Sequence, residues 1–202
     1  MRDIVVNKIM IKIKENNNVL DDIKLAEIKY GLQGLYTLLT KTSVIILFSL
    51  LLDVFLEFII FFIFYSILRS VGFGTHANSN IKCWIFSTLL LLGIPILMTN
   101  IKIKLSYKII LWIMFFVNFL IFAPADTKKR PMINKKRKLK FKSIILLLSI
   151  LYLFIIIYFN NISNIVLGSM LLESLLVNPI GYILMGEEVR FRLNDINIFK
   201  QN

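Results

Sequence analysis

Long apolar runs separated by short polar stretches dominate the second half of the chain. The clearest runs are Cys83–Thr99, Lys108–Ala123, Ser143–Phe159 and Ile162–Met185. Runs of about 17–25 apolar residues match the hydrocarbon core of a bilayer, so each is predicted to be a membrane-spanning helix. Pro95 and Pro179 should kink their helices, which membranes tolerate when neighbouring helices satisfy the freed carbonyl.

An earlier apolar zone, 32–68, is interrupted by Lys41, Asp53 and Glu57. The zone is long enough for two helices of about 18 residues each. We therefore predict a hairpin that turns near Leu50–Glu57. The expected fold is all-α, a polytopic transmembrane helical bundle with about six membrane segments.

The N-terminal part is mixed in polarity. Over 4–30, apolar residues recur at helical spacing among Lys, Asp and Glu, with an interruption at "ENNN". This pattern predicts one or two amphipathic helices on the membrane surface. No compact apolar segment typical of a cleavable signal peptide is seen. The predicted division is a cytoplasmic amphipathic region, 1–31, and a transmembrane domain, 32–202.

Composition agrees with a membrane protein. The chain is 57% hydrophobic and 18% charged, with a mean hydropathy of +0.77. Soluble domains are usually about 45–50% apolar and roughly 25% charged. A soluble protein of this size could not bury runs such as "SIILLLSILYLFIIIYF".

The positive charge is concentrated in one place. Nine of the 24 Lys and Arg residues lie between Lys128 and Lys142. No aromatic platform or soluble domain accompanies them, which argues against nucleic acid as a partner. A cytoplasmic loop, 124–142, against anionic membrane lipid is the simpler interpretation. Counting spans back from this loop puts His76, Cys83 and the N-terminus on the cytoplasmic face.

The only histidine and the only cysteine share one polar gap, "LRSVGFGTHANSNIKCW". A single cysteine excludes an intrachain disulfide. One His and one Cys would leave the other ligands of a metal to carboxylates, which argues against a metal site. On a continuous helix His76 and Cys83 would lie roughly 10 Å apart along the axis. Gly72 and Gly74 should permit a bend, and Ser79 or Asn80 could cap the next helix, with Cys83 in its first turn.

In that arrangement the helix dipole favours thiolate, and His76 could supply a base for nucleophilic catalysis by Cys83. The alternative is a small apolar filler beside a solvated histidine. The residues alone leave the two interpretations nearly even.

Two motifs carry a family resemblance. "RSVGFGTHANSNIKC" resembles the R-x4-G-x-H-A-x5-C signature of the accessory gene regulator protein B (AgrB) family, membrane cysteine endopeptidases of Gram-positive quorum sensing. A second block, "FAPADTKKRP" at Phe122–Pro131, resembles the family form Y/F-A-P-A-x-T-K/E-x-x-P. Phe73 departs from the family pattern, where many members have a second small residue.

The resemblance implies roles for individual residues in a catalytic loop, 69–83. Cys83 would be the nucleophile and His76 its base, with Arg69, Gly74 and Ser79 in support. The run Lys128, Lys129 and Arg130 would bind substrate, an AgrD-like propeptide with an acidic tail. Cleavage through a Cys83 thioester would precede thiolactone or lactone ring closure to a cyclic autoinducing peptide, without a cofactor.

The third catalytic group stays open at this level. Asn78 and Asp126 are candidates to orient His76. The intramembrane acids Asp53, Glu57 and Glu173 are alternatives as a proton relay or orienter, although Asp53 and Glu57 are better explained as a hydrated turn. A small transporter or exporter subunit is the alternative function, a lipid acyltransferase a weaker one, and a homodimer is compatible with these acids.

Overall fold

The structure is a computed structural model that describes residues 2–16, 21–75, 80–127 and 134–186. All regular elements of more than one residue in this part are α-helices. They are α1 (Arg2–Asn16), α2 (Asp22–Leu51), α3 (Phe55–Gly72), α4 (Asn80–Asn100), α5 (Leu105–Phe122), α6 (Lys135–Tyr158), α7 (Asn160–Val177) and α8 (Pro179–Met185).

Five helices in the described part are long and apolar enough to cross a membrane. The bent pair α7 and α8 makes a sixth segment when it is taken as one span. The predicted all-α polytopic membrane fold, with about six segments, is therefore confirmed.

The first compact unit, Met1–Leu52, consists of α1 and α2. Val6 and Met10 of α1 pack with Leu25 of α2 in a small buried cluster. The side chain of Gln33 donates a hydrogen bond to Asp3 over 3.1 Å. The predicted N-terminal helix is present, whereas α2 continues without a break across residue 31. The division at that residue stays a prediction.

The helix break predicted near Leu50–Glu57 is confirmed. Helix α2 ends at Leu51 and α3 begins at Phe55. Between them Asp53 is exposed and has a φ of 54°, a left-handed conformation in which Asp is among the better tolerated residues. Asp53 thus belongs to the turn, and Glu57 lies in the first turn of α3.

Helix α7 is the centre of the second compact unit, Asp53–Asn202. It packs against α3, α4, α5 and α6, and most of its residues are buried. Gly168 lets α4 approach closely, since a Cβ there would lie 2.8 Å from Met98 Cγ. A helix buried on nearly all sides explains why its sequence mixes Gly and Ser with large apolar residues.

The last membrane segment is broken rather than merely kinked. Helices α7 and α8 meet at an angle of 75°, at Asn178 and Pro179. Pro179 has no N–H to continue the helix, and Asn178 caps α8 by accepting the N–H of Ile180 over 3.0 Å. The carbonyl of Leu176 is therefore available to another partner. The expected effect of Pro179 is confirmed, while Pro95 lies inside the helical range of α4.

The start of the segment after the basic stretch was placed wrongly. The sequence predicts a loop to residue 142, but α6 begins at Lys135. Lys and Arg are good helix formers, and Asn134 caps the helix by accepting the N–H groups of Lys136 and Arg137. The second group of basic residues is thus helical.

Candidate functional site

The loop that leaves α3 is tied down at Thr75. Nη2 of Arg69 donates to the carbonyl of Thr75 over 2.7 Å. Thr75 in turn donates twice to the carbonyl of Leu176, from its N–H over 2.9 Å and from Oγ1 over 3.1 Å. The break after α7 is what frees that carbonyl. The residue immediately before His76 is therefore buried and held by two helices.

Arg69 also faces a buried acid. Its Nη1 lies 3.7 Å from Oε2 of Glu173, whose side chain is fully buried in α7. Both carboxylate oxygens and Nη1 lack a hydrogen bond within the described residues. A buried carboxylate is costly without compensation, so this ion pair matters to both partners.

The two glycines allow these side chains to approach the backbone. A Cβ on Gly72 would overlap Oε1 of Glu173, and a Cβ on Gly74 would overlap Nη1 of Arg69. Neither glycine has a positive φ. Close packing therefore requires glycine at these two positions, whereas the predicted bend between His76 and Cys83 lies partly outside the described residues and stays a prediction.

The left-handed residue of the loop is Phe73, with a φ of 62°. Its N–H caps α3 by donating to the carbonyl of Arg69 over 3.2 Å. Its ring meets that of Phe141 edge-on, with centroids 4.8 Å apart, and Arg137 lies over the Phe141 ring. Aromatic packing thus accompanies a backbone conformation that a bulky residue rarely adopts.

The two sequence motifs are in direct contact. The N–H of Ala125, in the second block, donates to the carbonyl of Gly72, in the first, over 2.8 Å. The next carbonyl, that of Asp126, accepts the hydroxyl of Tyr182 over 3.1 Å. The segment that leads to His76 follows α3, and the segment that leads to Lys128 follows α5. The hydrogen bond between Ala125 and Gly72 brings both segments together at the C-terminal end of α3.

Cys83 lies in the first turn of α4, as predicted, and is half-buried. Helices α3 and α4 pack together. The thiol thus lies on a helix that packs against the helix of Arg69.

The sequence profile of the family described as Accessory gene regulator B matches residues 6–177. This range includes both motifs and most of the contacts described above. The chain belongs to the accessory gene regulator B family.

Similar proteins of this family are found in staphylococci. Accessory gene regulator protein B of Staphylococcus aureus strain bovine RF122 / ET3-1 is 34% identical over 168 residues, 82% of this chain and 89% of the relative. The protein of the same name in strain JH9 is 35% identical over the same coverage. That of Staphylococcus carnosus strain TM300 is 32% identical over 126 residues, 62% of this chain and 66% of the relative. No solved structure matches.

The accessory gene regulator B chain brings some predicted residues together and leaves others outside the described part. Arg69 and Gly74 are in contact, and Cys83 lies on α4, which packs against α3. His76, Asn78 and Ser79, together with Lys128, Lys129 and Arg130, lie outside the described residues. Asp126 is described, and its backbone carbonyl bonds Tyr182.

Sequence reasoning missed Thr75 and Leu176, and noted Glu173 only as one of several intramembrane acids. A carboxylate inside an apolar helix and an arginine near the end of another helix were the available signals. Their pairing depends on how α3 packs against α7, which no local pattern contains.

Proposed function

We propose that this accessory gene regulator B protein is a membrane-embedded cysteine endopeptidase. Its substrate would be an AgrD-like propeptide, which it cleaves and helps to cyclise into an autoinducing peptide for quorum sensing. Cys83 is the nucleophile and His76 the general base. The observation that carries the proposal is the position of Cys83 in the first turn of α4. This helix packs against α3, whose Arg69 holds Thr75, the residue before His76 in the chain.

The proposed reaction has two acyl transfers. His76 takes the thiol proton, and Cys83 Sγ attacks the scissile carbonyl at the start of the propeptide's C-terminal tail. The C–N bond breaks, the tail amine leaves with the proton from His76, and a thioester to Cys83 remains. An internal cysteine of the propeptide then attacks this thioester, forming the thiolactone and releasing the Cys83 thiol. With serine in its place, the product is a lactone.

The environment of Cys83 supports this assignment. The start of a helix favours an anion, because unpaired N–H groups point outward there. Arg69 adds a positive charge on α3, the helix that packs against α4, and Glu173 partly compensates this charge. Its half-buried position leaves the thiol partly accessible to a peptide segment.

The basic residues offer a surface for an acidic propeptide tail. Lys135, Lys136 and Arg137 are exposed at the start of α6. They continue the run Lys128, Lys129 and Arg130, which follows the second motif. Since that motif bonds the end of α3, a tail bound here would reach the loop that carries His76. The same charges suit anionic lipid headgroups. A homodimer stays a prediction.

Co-expression with a candidate propeptide tests the peptidase. We expect the wild type to shorten the propeptide on gels, and Cys83→Ser and His76→Ala to leave it intact. Ser143→Ala is a suitable control, because Ser143 is exposed on α6 and its hydroxyl bonds only the carbonyl of Leu139 among the contacts described. Cleavage by Cys83→Ser would contradict the mechanism and favour a transporter or exporter subunit.

The proposed location of the catalytic loop is the cytoplasmic face of the cell membrane. Cys83 is the only cysteine, so thiol labelling reports on one site. A membrane-impermeant maleimide should label it in inverted vesicles but not in intact cells. Faster labelling in intact cells than in inverted vesicles would overturn this orientation.

A further inference from the structure

Glu173 has no role in the two acyl transfers, yet it is one of the most deeply buried side chains of the protein. Its carboxylate lies against the last turn of α3, where only glycine at position 72 leaves room for Oε1. Its cationic neighbour is Arg69, 3.7 Å away. An acid kept in such a place costs stability, so an apolar residue would serve packing better.

Four residues form a closed ring of contacts. Glu173 faces Arg69, Arg69 donates to the carbonyl of Thr75, and Thr75 donates to the carbonyl of Leu176. Leu176 is three residues after Glu173, on the next turn of the same helix, which closes the ring. Helix α7 therefore holds the loop twice, directly through Leu176 and indirectly through Arg69.

The indirect connection has one adjustable part. Thr75 is fixed by its own hydrogen bonds to Leu176. The guanidinium that donates to its carbonyl, however, stands at the end of the long, flexible side chain of Arg69. Removing the negative charge of Glu173 leaves Arg69 with no described carboxylate and lets its guanidinium turn away, since 18% of its side chain is exposed. The carbonyl of Thr75 belongs to the peptide group whose nitrogen is that of His76.

We infer that Glu173 is a positioning residue for catalysis: it holds Arg69 on the carbonyl of Thr75 and thereby fixes the residue that immediately precedes His76 in the chain. This inference rests on the proposed function. Glu173 acts through Arg69 and does not contact the substrate. A misplacement of about 1 Å in a catalytic group can lower the rate about 10²-fold.

Steady-state kinetics of propeptide cleavage in proteoliposomes test this role. Glu173→Gln keeps the shape of the side chain and removes its charge, so we expect kcat to fall about 10²-fold with little change in KM. Glu173→Asp keeps the charge and should restore part of kcat. A wild-type kcat in Glu173→Gln, or a loss that appears only in KM, would overturn the inference.

Ser174→Ala is the matched control, because Ser174 is the neighbouring buried residue of α7 and lies outside the ring. It should keep the wild-type kcat. If Ser174→Ala lowers kcat as much as Glu173→Gln does, the effect comes from disturbed packing of α7, and the inference is wrong.

A double-mutant cycle tests whether Glu173 acts through Arg69. Arg69→Gln should lower kcat, and adding Glu173→Gln should then cause less than a 3-fold further loss, because the pathway is already broken. Two full, multiplicative losses would mean independent roles and contradict the inference.

Accumulation in the membrane is measured for every variant. If Glu173→Gln does not accumulate, Arg69→Lys replaces it, since lysine keeps a cation for Glu173 but lacks the second nitrogen that reaches Thr75. A normally accumulating Arg69→Lys with the wild-type kcat would overturn the inference. Cys83→Ser runs in parallel: its activity would refute the proposed peptidase, whereas inactive Cys83→Ser beside fully active Glu173→Gln refutes only the role of Glu173.

Discussion

Oε1 of Glu173 occupies the space that a Cβ atom on Gly72 would need. The glycine that ends α3 and the acid inside α7 thus fit together. The neighbouring contact, between Thr75 and Leu176, joins residues that are 101 positions apart in the sequence. A Cβ at Gly72 would also lie 3.1 Å from Ile145 Cδ1, so it meets obstacles on more than one helix. The contact explains why α3 can approach α7 here.

Gly72→Ala should therefore destabilise the protein. Overpacking a buried site costs typically about 1–3 kcal/mol, and here the added methyl displaces a charged group from its place. Unfolding in detergent micelles, followed by circular dichroism, measures the free energy of unfolding.

Gly93→Ala is the control for that measurement. Gly93 lies inside α4, and nothing is found within 4 Å of a Cβ built there. Alanine is the better helix former by roughly 1 kcal/mol, so this variant should be as stable as the wild type or more stable. An equal loss in both variants would mean that the Gly72–Glu173 contact is not the cause.

Gly74→Ala should impair cleavage. Its Cβ would overlap Nη1 of Arg69 and would lie 2.9 Å from Cβ of Leu176. Arg69 must then leave the carbonyl of Thr75, and the loop must shift away from α7. We expect propeptide cleavage to fall about 10²-fold while the protein still accumulates. Gly34→Ala, where a Cβ meets nothing within 4 Å, is the comparison. Cleavage by Gly74→Ala at the wild-type rate would contradict a role for the hydrogen bond from Arg69 to Thr75 in catalysis.

Hydropathy and helix-breaking residues were enough to predict the membrane segments, because burial in lipid demands long apolar helices whatever their neighbours are. The break at Asp53, the bend at Pro179 and the place of Cys83 follow from such local rules. The start of α6 was misjudged because charge was taken as a sign of a loop, although Lys and Arg favour helices.

The ring around Thr75 could not be predicted in the same way. Its links from Arg69 to Glu173 and from Thr75 to Leu176 join residues far apart in sequence, and both depend on which faces of α3 and α7 meet. Gly74 was predicted to provide backbone freedom, whereas Phe73 has a positive φ. Only the packing of the folded chain shows that Gly74 leaves space for the guanidinium of Arg69.

The rings of Phe73 and Phe141 should be energetically coupled. Phe73→Gly removes a left-handed bulky residue, a gain of about 1–2 kcal/mol, but also an edge-on aromatic pair worth about 0.5–1.5 kcal/mol and part of the burial of the ring. In the Phe141→Leu background the pair is already lost, so Phe73→Gly should be more favourable there. The double-mutant cycle of unfolding free energies should give about 0.5–1.5 kcal/mol. A coupling near zero would show that Phe141 does not stabilise the loop.

A second buried charge, Lys108 of α5, is held by polar residues at the start of α7. Nζ of Lys108, at 3% exposure, donates to Oγ of Ser163 and, over 3.3 Å, to Oδ1 of Asn160. Ser163→Ala removes one acceptor from a buried ammonium and should lower the free energy of unfolding by about 1–3 kcal/mol. In a Lys108→Met background the same substitution should cost much less, because no cation is left without its partner. The free energy of unfolding in detergent is measured for Ser163→Ala in both backgrounds. A smaller loss in the Lys108→Met background would mean that Ser163 stabilises the protein by accepting a hydrogen bond from Lys108. Equal losses would mean that Ser163 acts independently of Lys108.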